Sequence, residues 1–148
     1  MNTNSYKSNV GNSEGQPTGG AADKIRDRLN NYRKLARDLR NQRQRYDRAD
    51  PEVTLHLREI AEDMAAKEIT EAEEYKALSE LIQRVEDPDQ RATLQLRYLD
   101  NSEWPDVNFA MFGDLADFNA KERAYQRRVY RIHSRALLTL AQIADVEA

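Results

Sequence analysis

The chain has 148 residues, with 23 Lys and Arg against 26 Asp and Glu for a formal net charge of -3, and is 39% apolar and 33% charged. That length suits one domain or two small ones, and the absence of cysteine excludes a disulfide framework, thiolate zinc sites, iron–sulfur clusters and a cysteine nucleophile. No run of about 18 apolar residues suggests a membrane span, and the polar start of the sequence lacks the apolar core of a signal peptide, so a cytoplasmic location is expected.

Four of the five glycines, Gly11, Gly15, Gly19 and Gly20, fall in the first twenty residues, and only Gly113 lies beyond them. A body this poor in glycine and rich in Ala, Leu, Arg, Glu and Gln is expected to be all-α. It also leaves no place for a glycine-rich phosphate loop. Residues 1–22 are mostly Asn, Ser, Thr, Gly and Gln and read as a disordered tail.

From residue 24 the pattern changes. Ile25, Leu29, Tyr32, Ala36, Leu39, Arg43 and Tyr46 recur at alternating spacings of four and three, a heptad seam interrupted once, by Arg43. Asp23 would cap this helix and Asp50-Pro51 would end it. Residues 24–48 hold ten basic residues against three acidic.

Pro51 suits the first turn of a second helix striped by Val53, Leu57, Ile60 and Met64. The stripe slips at residues 67–71, so a break is expected there, with Thr70 and Glu73 as a capping box for a third segment. Tyr75, Leu78, Ile82 and Val85 continue the seam. Residues 52–87 hold eleven acidic residues against four basic. A basic helix followed by an acidic stretch predicts an antiparallel hairpin whose flanks attract. Pairing of the seam between two chains is the alternative, and a hairpin that also helps to form a homodimer combines both.

Asp87-Pro88 separates residues 23–87, the hairpin or coiled coil, from residues 88–148. Residues 89–99 predict a short helix burying Leu94, Leu96, Tyr98 and Leu99. Residues 100–102 form a turn with Ser102 as a cap, and residues 103–112 form another short helix with Trp104, Val107, Ala110 and Met111 as its apolar groups and Pro105 tolerated in its first turn. Residues 113–118 are a loop. Asn119 with Glu122 would cap a long last helix.

That last helix is the most informative segment. Tyr125, Val129, Ile132, Ala136, Leu140 and Ile143 share one side at 100° per residue. Arg123, Arg127, Arg131 and Arg135 step by four along the other, with Arg128 at its edge and Lys121 in the first turn. Residues 120–136 contain six basic residues and one acidic in a chain that is acidic overall. Charged helix faces are commonly just solvated, and the acidic middle of the chain could neutralise this one. Acidic residues do not intersperse with the arginines, however, and the planar guanidinium fork suits phosphate and guanine.

Two short helices, a loop and a long basic helix make a helix-turn-helix layout. The candidate contacts to double-stranded DNA are Lys121, Arg123, Gln126, Arg127, Arg128, Arg131 and Arg135, with Tyr130 beside them. Most would hold phosphates, while Gln126 could read adenine and an arginine guanine. Tyr125 lies on the apolar side and is expected in the core, as is Trp104. His56 and His133 are the only histidines. Neither has the spacing of a metal ligand, no Ser-His-Asp arrangement can be assembled, and neither an enzyme nor a cofactor is expected.

The stretch LQLRYLDNSEWPDVNFAMFGD with ERAYQRRVYRIHSRALLTL resembles the C-terminal region of ArpU/RinA-type phage and prophage transcription regulators. It is more distantly similar to region 4 of sigma factors. Leu96-Arg97-Tyr98, Trp104, the run from Arg128 to His133, and Ala136-Leu137 carry the likeness. The loop at residues 113–118 departs from it by exceeding the usual three- or four-residue turn. The resemblance implies a late-gene activator in a bacterial host cell, acting at a promoter and so in contact with RNA polymerase. The competing expectations are an acidic helical adaptor, DNA mimic or inhibitor, and a small terminase subunit.

Overall fold

The computed structural model of the chain describes residues 19–50 and 54–147, so the tail up to residue 18 and the expectations for Pro51 and Val53 lie outside it. The described residues form α1 (Gly19–Asp47), α2 (Thr54–Gln83), α3 (Pro88–Leu94), a π-helical turn (Gln95–Leu99), α4 (Trp104–Phe112) and α5 (Glu122–Glu147), with no strand.

α1 and α2 form the antiparallel hairpin that opposite charge predicts. Arg28 Nε and Nη2 donate to the two Glu74 carboxylate oxygens at 2.8 and 2.9 Å, Tyr32 Oη donates to Glu71, and towards the tip Gln42 meets Asp63 and Arg43 meets Glu68. The seam lies within the chain: Ile25, Leu29, Tyr32 and Leu39 are buried on α1, and Leu78, Ile82 and Val85 on or just past α2. Tyr46 and Tyr75, expected on that seam, are exposed.

Several expected boundaries move. α1 begins at Gly19, not after a cap at Asp23; Ala22 is buried, and Asp23 pairs with Arg26 inside the helix. α2 runs unbroken through residues 67–71. Thr70 caps nothing there, since its hydroxyl donates back to the Ala66 carbonyl, one turn earlier. Asp87 caps α3 by accepting from the amides of Asp89 and Gln90, with Pro88 in the first turn. The residues expected to finish that helix form a π turn instead, closed by Asp100 N–H donating to the Gln95 carbonyl. Asn101 comes next at φ 59, a left-handed conformation that asparagine tolerates better than most residues.

Glu103, not Ser102, holds the N-cap position of α4, and Phe112 is buried there while Ala110 is exposed. Residues 113–121 form successive turns, and α5 starts at Glu122, so Asn119 and Glu122 make no capping box.

Two apolar cores result. The larger joins α1, α2, α3, the π turn and the C-terminal half of α5 around Leu29, Leu78, Ile82, Leu94, Tyr98 and Leu140. The smaller joins α4, the turns after it and the N-terminal half of α5 around Val107, Phe112, Phe118 and Val129. Each fully buried aliphatic side chain contributes about 1.5–3 kcal/mol. α5 is therefore shared by both cores.

Candidate nucleic-acid interface

The smaller core fixes how α5 is rotated. Val129 is fully buried, and Ile132 and Tyr125 pack beside it. Tyr125 stacks on Phe112 and Phe118 at 5.1 and 6.0 Å and donates from its hydroxyl to Asp117 Oδ1 at 2.7 Å, which places it in the core. That bond holds the Asp117 carboxyl below its ordinary pKa. The same rotation turns Arg123, Arg127, Arg131 and Arg135 to solvent. Four residues turn an α-helix by about 400°, so this row drifts by only about 40° per step and forms one ridge.

Among the described residues, no carboxylate pairs with Arg123, Arg127, Arg128, Arg131 or Arg135. Ion pairs among the described residues instead include arginines of α1, Arg97, and the lysines Lys67 and Lys121. Lys121 meets Asp117 at 3.5 Å, and both are exposed. Arg128 lies over the Phe112 ring at 4.9 Å, at the ridge's edge. A groove of about 290 Å³ runs beneath that edge, lined by Arg128, Arg131, Arg135 and Ile132 of α5 and by Asp87, Asp89 and Gln90 at the start of α3. The Asp87 carboxylate is already engaged as the α3 cap.

Gln126 does not belong to the ridge. It is half-buried, and its Nε2 is shut away from solvent without a hydrogen-bond partner, so a base edge cannot reach it in this arrangement. Tyr130 is exposed and meets the Trp104 ring edge-on at 5.2 Å.

The connection that holds this unit to the hairpin has no signature in the residue pattern. Arg33 is buried; its Nε donates to the Arg97 carbonyl at 3.2 Å, and its Nη2 to the Ser102 carbonyl at 3.3 Å and to Glu103 at 3.1 Å. Arg97 Nη1 also donates to the Ser102 carbonyl, and its guanidinium lies 4.4 Å from the centre of the Trp104 ring. Trp104 in turn packs edge-on against His133 at 4.8 Å, and His133 Nε2 is 2.7 Å from the Tyr98 hydroxyl. Burial, with the charges of Arg26 and Arg97, lowers the His133 pKa to about 4. Burial raises that of Tyr98 to about 12. The imidazole is thus neutral near pH 7, and the tyrosine keeps its proton.

Among the described residues no cluster of three or more His, Cys, Asp or Glu stands where it could hold a metal ion, and no helix is long and apolar enough to cross a membrane. The chain matches no protein-family model, no curated protein and no solved structure.

Proposed function

We propose that this chain is a transcription regulator that binds double-stranded DNA through the arginine ridge of α5, in the manner of the ArpU/RinA-type regulators that its C-terminal region resembles. The observation that supports this reading is the ridge itself. Five exposed guanidinium groups on α5 have no carboxylate partner among the described residues, although acidic residues outnumber basic ones in the chain. A polyanion of regular geometry is the ligand such a row complements, because each guanidinium presents a planar fork to phosphate oxygens or a guanine edge. On this reading α4 braces α5 against the groove, Arg123, Arg127 and Arg131 face the duplex, and Arg128 and Arg135 hold its backbone at the edges. A homodimer would set two such helices on paired half-sites, and an activator would present RNA polymerase to the promoter. The adaptor reading is weakened because Glu68, Glu71 and Glu74 of acidic α2 are engaged by α1.

Selection of bound sites from random duplex DNA, followed by anisotropy titrations at several salt concentrations, tests the proposal. About five phosphate contacts give a slope of log K against log[salt] near -4.5. Arg127→Ala with Arg131→Ala should reduce that slope by about 2 and leave the far-ultraviolet helical signal unchanged. No enrichment of any site, together with a flat salt response, would refute it.

A further inference from the structure

A second row of arginines runs along α1. With Ile25 as the centre of the buried face, Arg26, Arg33, Arg37 and Arg40 fall on one flank, between about 60° and 120°. Arg28, Tyr32 and Arg43 fall on the centre or the other flank, and these are the residues that meet Glu74, Glu71 and Glu68 of α2. The acidity of α2 therefore answers one side of α1 only. On the unanswered side Arg26 has Asp23 at 2.8 Å, an exposed pair within its own helix, whereas Arg37 and Arg40 are exposed and have no ion pair among the described residues.

This flank is turned to the unit that carries the α5 ridge. Arg33, in the middle of the row, reaches the carbonyls of Arg97 and Ser102, just ahead of α4. Arg97 covers Trp104, and Trp104 touches Tyr130, which lies between Arg127 and Arg131 along α5. Arg37 is one helical turn beyond Arg33, and its charge is felt by Arg97; the charge of Arg26 is felt by His133 of α5. A chain of contacts thus joins the two arginine rows across Arg33, Arg97, Trp104 and Tyr130.

We propose that Arg37 and Arg40 of α1 contact the phosphate backbone of the duplex engaged by the α5 ridge, so that the footprint extends past the segment α5 covers. The proposal rests on the DNA reading of α5. The occupant is duplex backbone because Arg37 and Arg40 are exposed guanidinium groups at helical spacing with no ion pair among the described residues, although Arg40 shares a shallow groove with Asp100 and Leu99.

The test compares the full chain with Arg37→Ala/Arg40→Ala and with Arg127→Ala/Arg131→Ala on a duplex selected by the wild-type protein, using salt-dependent anisotropy and hydroxyl-radical footprinting. Replacing Arg37 and Arg40 should reduce the salt slope by about 2, weaken binding alike on matched and mismatched sequences, and remove protection from one edge of the footprint. Both residues are exposed, so an unchanged melting temperature should accompany the effect. If the α5 variant loses affinity while the α1 variant keeps the wild-type slope and footprint, the α1 proposal is overturned and the α5 reading stands. Loss by the α1 variant of binding to an acidic protein, with DNA binding intact, would assign the row to that partner and overturn the proposal equally. If the wild-type chain binds no duplex, both readings fall.

Discussion

Replacing Arg33 tests the connection between the hairpin and the α4–α5 unit. Its side chain is 8% exposed and its guanidinium donates to two backbone carbonyls and to one carboxylate. A hydrogen bond to a charged group contributes about 1.5–3 kcal/mol. The two carbonyl bonds, at 3.2 and 3.3 Å, belong at the lower end of that range. The pair with Glu103 adds less than about 1 kcal/mol, because the Glu103 side chain is 68% exposed and water screens it. Removing the guanidinium also removes the cost of burying it. The Ser102 carbonyl keeps its bond from Arg97, whereas the Arg97 carbonyl loses the side-chain donor that now reaches it. The net loss for Arg33→Ala is then about 2 kcal/mol, which for a chain of this size lowers the melting temperature by roughly 4–8 °C. Arg33→Lys keeps the charge but cannot span both carbonyls and should recover less than half of the loss. Glu103→Gln should cost no more than about 0.5 kcal/mol. Urea unfolding followed by circular dichroism measures all three. A loss under about 0.5 kcal/mol for Arg33→Ala, or one matched by Glu103→Gln, would show that the carbonyl clamp does not stabilise the fold and that the reasoning is wrong.

Packing and protonation lead to two further outcomes. A Cβ at Gly113 would collide with the Phe109 carbonyl oxygen and stand 2.7 Å from its ring, so Gly113→Ala should destabilise by about 1–3 kcal/mol, read from the melting temperature; an unchanged value would refute it. The cause is space, since Gly113 has a helical φ of -62 that any residue accepts. The His133 pKa falls from 6.5 to about 4 on folding, so between those values the unfolded chain binds the proton more readily. Its contribution is complete above pH 6.5, declines as the pH falls through that window and levels off below about 4, with a total of at most about 3 kcal/mol. Comparing the wild type with His133→Gln at pH 7.5 and pH 5 isolates this share; an equal drop in both proteins would count against it.

The features legible in the sequence are those that repeat. The α1 seam, the opposite charges of the hairpin arms and the four-residue spacing of the α5 arginines each come from one helix with one buried face. The misplaced features depend on geometry between elements. The slip in the stripe at residues 67–71 does not break α2, because that part of the helix is held by Tyr32 and Arg43 acting on Glu71 and Glu68 and needs no buried apolar side chain there. The π turn adds a residue to one helical repeat and so rotates the residues after it, which periodicity does not register. Arg33 looks like one more basic residue of a basic helix, and only the left-handed turn at Asn101 brings two carbonyls within its reach. Gln126 departs from the expected ridge because its helical position lies between ridge and core, where its Nε2 is buried.

The boundary at Asp87-Pro88 separates segments of sequence but not of structure. Val129 lies in the smaller core with α4, while Leu137 and Leu140, two and three turns further along the same helix, lie in the larger core with α1 and α2. An uninterrupted helix of 26 residues cannot pivot about its own middle without losing backbone hydrogen bonds there. The α4–α5 unit therefore has no hinge to the hairpin. Arg33 closes the same link from the other side, binding α1 to the turn ahead of α4. With α5 shared by both cores and α1 clamped to the turn, the two arginine rows are held at one fixed separation. On the proposed DNA reading, a duplex that meets both rows must match that spacing, and substitutions in the shared core around Leu140 should then alter duplex preference as well as stability.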